Sequence, residues 1–147
     1  MDFADEAEHL GVIRSVDGNG PNLLNRFSSH KKALGAVLHT GIARHHRGNP
    51  AASLRTENIF GSSVLFSGLG SLYLKAEEID QLDRYYNAKL QNLMRLHPCT
   101  PRCVITFLAG SLPGRALLHL RQFSLFGMLI QQEGVQLFKL AESILTS

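Results

Sequence analysis

Long apolar runs are missing from this chain of 147 residues. None exceeds a few residues, whereas a bilayer-spanning helix needs roughly 20, so no membrane partner is expected. Cysteine is scarce: Cys99 and Cys103 are the only two. They are too few for a disulfide framework and suit a reducing compartment. A basic-then-apolar export signal is also lacking, because the chain opens on the acidic MDFADEAEHL. The expectation is therefore an intracellular protein, cytoplasmic or nuclear. There is no internal repeat and no low-complexity tract. Gly18-x-Gly20 is too short for a phosphate-cradling loop. Acidic residues are absent from one long stretch, Arg26 to Thr56.

What is present reads as one globular domain. Apolar content is 44% and charged content 18%, and the length suffices to bury a real core. The net charge of +3, from 15 basic and 12 acidic residues, is mild. Its distribution is more informative. The acid-free stretch holds Arg26, Lys31, Lys32, Arg44, Arg47 and Arg55, together with four of the seven histidines. A basic block can mark contact with a polyanion. Composition alone favours the plainer reading, a solvated basic face.

The clearest periodic segment is Lys75 to Arg95. Ile79, Leu82, Tyr86, Leu90 and Leu93 recur every three or four residues and form one helical stripe. Glu77 and Glu78 suit the first turn, where the helix dipole favours negative charge. Asp80 and Arg84 have the spacing of a helical surface pair. Asn87 falls off the stripe with the other polar residues. Pro98 and Pro101 stop the run.

Around this helix the chain predicts a mainly α fold. It comprises five to six helices packed as an irregular bundle, with a short N-terminal strand or hairpin. Residues 1–7 read as a polar, frayed lead-in. His9 to Val16 reads as a strand closed by the turn Asp17-Gly18-Asn19-Gly20-Pro21, with no convincing second strand to pair with it. A first helix is predicted from Pro21 to His39, capped by Asn19 or Gly20. Its stripe is Leu23, Leu24, Phe27, Leu34, Val37 and Leu38, with Lys31 and Lys32 on the polar side. A basic turn follows, then a helix from Pro50 to about Leu65, its end blurred by Gly61, Gly68 and Gly70. Thr100-Pro101 should start a short helix to Ala109. Pro113 to Gln131 should form a helix apolar on most sides, hence central in the core. Gly134 should break it before a last helix over Val135 to Leu145.

Few side chains make a case for chemistry. His97, Cys99 and Cys103 lack the fourth ligand of a tetrahedral zinc site. His45 and His46 are adjacent, and adjacent residues rarely point at one ion. Glu77, Asp80 and Asp83 read as a solvated acidic face rather than a Mg²⁺ or acid–base pair. Ser28-Ser29-His30 has no acid that can be placed beside it. Tyr85 and Tyr86 could stack on bases, but Tyr86 lies on the apolar stripe and reads as core.

Several segments taken in order carry a resemblance. They are Glu8-His9-Leu10-Gly11-Val12, Ser29-His30-Lys31-Lys32-Ala33-Leu34, Leu65-Phe66-Ser67-Gly68-Leu69, Leu93-Met94-Arg95-Leu96, and Phe107-Leu108-Ala109-Gly110-Ser111-Leu112-Pro113. Together they resemble the carboxyl-terminal part of a reverse transcriptase from a non-LTR retrotransposon, over roughly residues 8–130. The resemblance implies that Leu10-Gly11-Val12, with His9 in place of the family's aromatic, corresponds to the primer-grip end of the palm. Residues 1–20 would then be a lead-in and palm-like strand, and residues 21–147 a thumb-like helical domain resting on the template–primer duplex. The family's catalytic aspartates precede the Leu-Gly segment, and residues 1–9 hold no counterpart to them. Two-metal nucleotidyl transfer needs those carboxylates.

The implied protein is thus a catalytically incomplete fragment of an RNA-directed DNA polymerase, with no catalytic residue and no cofactor of its own. Its expected partners are the backbone of an RNA–DNA or DNA duplex and the missing palm, with self-association in isolation. Duplex contact would fall to Arg26, Lys31, Lys32, Arg44, Arg47 and Arg55. The competing expectation is a helical structural or protein-interaction domain with no nucleic-acid role.

Overall fold

A computed structural model describes the backbone of residues 6–9, 12–15, 18–39 and 50–145, and the side chains of 18–37 and 50–136. The chain is mainly helical, with one hairpin at its start. Strands β1 (Glu6–His9) and β2 (Val12–Ser15) pair antiparallel, with Glu6 opposite Ser15 and His9 opposite Val12. Helix α1 (Gly20–His39) leads to α2 (Pro50–Thr56), a π-helical turn (Glu57–Gly61) and α3 (Ser62–Phe66). A 3₁₀ turn (Leu69–Ser71) precedes α4 (Ala76–Leu93), α5 (Arg102–Ala109) and the long α6 (Gly114–Leu145).

The core is built from residues of α1, α3, α4, α5 and α6 and of the 3₁₀ turn, whereas α2 buries none. Leu23 and Phe27 of α1 meet Leu65 and Phe66 of α3, Leu69 of the 3₁₀ turn, and Leu82, Tyr86 and Leu90 of α4. Ile105 and Ala109 of α5 and Leu118 of α6 close the cluster. Each fully buried Leu of this set contributes about 1.5–3 kcal/mol through removal from water. The stripe of α4 lies at the centre: Leu82, Tyr86 and Leu90 are each 0% exposed. At its start the Lys75 amide donates to Glu78 Oε2 at 2.8 Å. This is half of a capping box, since a lysine side chain offers no acceptor for the other half. The hydroxyls of Tyr86 and Ser111 share a hydrogen bond at 2.9 Å, which ties α4 to the α5–α6 connection.

Several expectations need correction. Of the two N-terminal alternatives the hairpin is found: β2 falls within the segment read as a strand, and residues 6–9, read largely as a frayed lead-in, supply its partner. The helix read from residue 50 to residue 65 is interrupted. At its middle the Ser62 amide bonds the Glu57 carbonyl, an i to i+5 step. The surface pair Asp80–Arg84 gives way to longer-range partners. Asp80 pairs with Arg115, and Asp83 accepts from the Arg115 amide at 3.2 Å and approaches Arg102 at 3.9 Å. These carboxylates therefore fasten α4 to the starts of α5 and α6 instead of forming a free acidic face. Asn87 is buried, with its Nδ2 donating to the Asp83 carbonyl and its Oδ1 without a partner among the described residues.

Helix α6 differs most from its expectation. Gly134 does not break it, since a mid-helix glycine costs only about 1 kcal/mol relative to alanine. Nor is the helix central. Leu118 is fully buried, but Phe123, Phe126, Leu129 and Ile130 are exposed. Its apolar composition reflects a side that no described element covers.

Candidate nucleic-acid interface

Among the described members of the basic stretch, Lys31 and Lys32 are exposed side by side on α1. Arg55 is exposed in the last turn of α2. Arg26 is half-buried and engaged within the fold. Arg44, Arg47 and the His45-His46 pair lie outside the described residues, as do Leu10 and Gly11. Val12 opens β2 opposite His9.

The residue next to Lys31 explains how these segments come together. His30 is 0% exposed, and its Nε2 donates to Glu57, at 2.9 Å from Oε1 and 3.1 Å from Oε2. Glu57 is equally buried. The contact lies one residue from Lys31 and two from Arg55, so it brings the two cationic segments to the same junction. It also accounts for the first acid after the acid-free stretch. Glu57 is turned into the core and paired, so it does not oppose the surface lysines.

Tyr85 of α4 completes the network. Its hydroxyl lies 3.0 Å from His30 Nδ1 and 3.2 Å from the Phe27 carbonyl oxygen. Its ring stacks on Phe27 at 4.0 Å with 14° between planes, and Lys89 Nζ sits 5.5 Å above it. Burial, reinforced by the nearby Glu57 charge, pushes the Tyr85 phenol up to about 12. Burial also raises Tyr86; the hydrogen bond from Ser111 pulls the other way, and Glu57 adds to the rise. The π turn makes room for this arrangement. A Cβ on Gly61 would fall 2.1 Å from Glu57 Oε2, so any side chain there would push the Glu57 carboxylate from its place.

The geometry superficially matches a hydroxyl–histidine–acid triad. Its chemistry does not. A catalytic hydroxyl needs a lowered proton affinity and an approach for substrate. Tyr85 has the opposite shift, and His30 and Glu57 are sealed from solvent. The cluster is a buried polar clamp joining α1, the π turn and α4. The sequence did not place an acid beside His30; Glu57 supplies it from 27 residues away. The nearby serines are not its partners in the described network.

Cys99 and Cys103 are free and exposed, and His97 Nδ1 accepts from the Cys99 amide at 3.2 Å. No group of three His, Cys, Asp or Glu among the described residues is placed to hold a metal ion. No single helix among them is long and apolar enough to cross a membrane. Comparison with known proteins finds no matching family, no matching curated protein and no matching solved structure.

Proposed function

We propose that this chain is a non-catalytic, thumb-like part of a non-LTR retrotransposon reverse transcriptase that lies along a template–primer duplex. The observation that carries the reading is the junction held by His30 and Glu57. Lys31, Lys32 and Arg55 are exposed beside it, on segments whose only acid is buried. Phosphate oxygens are the natural counterpart of such a surface, and contacts to them hold a duplex without reading its sequence. The mainly helical bundle is the kind of scaffold the reading requires. The palm that would carry the metal-binding carboxylates is a proposed partner.

The test is affinity for a short RNA–DNA hybrid duplex. Changing Lys31 and Lys32 together to Ala should weaken binding to all sequences alike. The same change at Lys75 and Arg84, exposed on and before α4, should have much less effect. Binding that is absent at low salt, or equally sensitive to both pairs, removes this reading. A second reading, a protein-interaction domain, is favoured by the uncovered apolar side of α6, where Phe123 and Phe126 are 73% and 63% exposed. It predicts self-association or partner binding that survives high salt.

A further inference from the structure

A groove of about 420 Å³ lies between the turn that follows α3 and the middle of α6. Its construction begins with Ser67, which is extended, and Gly68, which turns left-handed at φ 76°. The chain then enters the 3₁₀ turn, anchored by the fully buried Leu69. The Gly70 backbone rests on α6: a Cβ there would stand 3.4 Å from Arg121 Cβ. One residue along, the side-chain Nε2 of Gln122 donates to the Leu72 carbonyl at 3.4 Å. Both contacts hold this part of α6 against the turn, with Arg121 at the groove.

The lining divides into two chemistries. Phe66, Leu125 and Met128 supply an apolar wall. Arg121, Ser67 and Ser124 supply donors, and among the described residues none of the three side chains has an intramolecular hydrogen bond or ion pair. Ser63 and Ser71 also line the groove, but their hydroxyls donate to the Ile59 and Gly68 carbonyls. Among the described residues, no carboxylate lines it. A guanidinium with two free hydroxyls matches an anion presenting several oxygens in different directions. The apolar wall asks for a flat or greasy body attached to that anion. The volume lies within the range of small-molecule sites, about 300–1,000 Å³.

We propose that this groove binds the phosphate ester of a nucleotide, with Arg121, Ser67 and Ser124 on the phosphate and Met128 and Leu125 against the nucleoside. The proposal does not need the duplex reading, because Lys31 and Lys32 are not part of the groove. The same phosphate ester could come from a free mononucleotide or from the end of a strand.

The experiment uses the full chain and isothermal titration with adenosine 5′-monophosphate, adenosine, and a short single strand with and without a 5′-phosphate. The expected result is saturable binding of the monophosphate, with adenosine weaker by at least about tenfold, as loss of a charged hydrogen bond implies. Arg121→Gln should weaken the monophosphate at least about tenfold, and Ser124→Ala by a smaller factor. Lys31→Ala with Lys32→Ala should leave it unchanged. Both groove residues are exposed, and an unchanged circular dichroism spectrum verifies that each variant folds. A phosphorylated strand binding more tightly than the monophosphate assigns the strand end as source; the reverse order assigns the free nucleotide. The proposal is overturned if neither phosphorylated ligand saturates, if adenosine binds as well as its monophosphate, or if both groove variants bind like the parent.

Discussion

Removing His30 is the most revealing perturbation of the fold. His30→Leu deletes the hydrogen bonds at 2.9 and 3.1 Å to Glu57 and at 3.0 Å to Tyr85. Glu57 is then left in a site with 0% side-chain exposure, where water cannot replace the lost donor. Breaking a buried pair from one side costs about 3–5 kcal/mol. That is a large fraction of the roughly 5–15 kcal/mol that holds a domain together. The double change His30→Leu with Glu57→Met removes both partners and leaves no orphaned charge, so it should recover most of the loss. Urea unfolding of the parent, both single variants and the double variant measures the coupling directly. A His30→Leu cost under about 1 kcal/mol, the range of exposed pairs, would refute the clamp. So would a double variant whose loss equals the sum of the singles.

Other expectations follow from the same contacts. The Tyr85 phenol, at about 12 against an ordinary value of 10.0, keeps its proton in the folded state after the unfolded chain has lost it. The stability this contributes is present below pH 10 and is lost as pH rises to about 12. A phenolate absorbance titration should show the late phase, and Tyr85→Phe should reduce its amplitude, leaving the part that belongs to Tyr86, which burial also raises; a Tyr85 transition near its ordinary value contradicts the burial. Gly61→Ala should destabilise by about 1–3 kcal/mol through overpacking against Glu57, and should be nearly neutral when Glu57 is Ala; equal costs in both backgrounds would contradict the close approach. Leu118→Ala should cost about 2–5 kcal/mol, whereas Phe123→Ser on the same helix should change stability by about 0.5 kcal/mol or less. Sedimentation of Phe123→Ser with Phe126→Ser should show less self-association than the parent, and an identical profile would clear the α6 surface of that role.

The parts of the fold that were legible are those governed by strong periodicity. The stripe of α4 appears with Leu82, Tyr86 and Leu90 inward, because three apolar residues on one face leave few ways to bury them. Helix α1 starts at Gly20, one residue before its expected Pro21 start, and turns Leu23, Phe27 and Leu34 inward, while Leu24 of the expected stripe is exposed. The β1 strand was missed because Glu6-Ala7-Glu8-His9 is polar; a hairpin needs backbone pairing and not an apolar signature. The π turn was missed because it depends on a tertiary event, the burial of Glu57 against His30, with Gly61 as its only local trace. For the same reason Glu57 and Tyr85 escaped as partners of His30: their separations of 27 and 55 residues leave no spacing to read. The reading of α6 as central failed because apolar composition reports a need for cover and not the presence of it. In the candidate interface, exposure of Lys31 and Lys32 was legible from the helical wheel. The half-burial of Arg26 was not.

The measurement closest to the central claim is the salt dependence of duplex binding. On B-DNA each phosphate contact contributes about 0.9 to the slope of log affinity against log salt concentration. Titrating a short DNA duplex and its hybrid counterpart at several salt concentrations gives that slope for the parent and for Lys31→Ala with Lys32→Ala. The account predicts a steep, sequence-indifferent dependence that shallows by about 1.8 on DNA when both lysines are lost. A slope unchanged by the double substitution, or no binding at low salt, would contradict it.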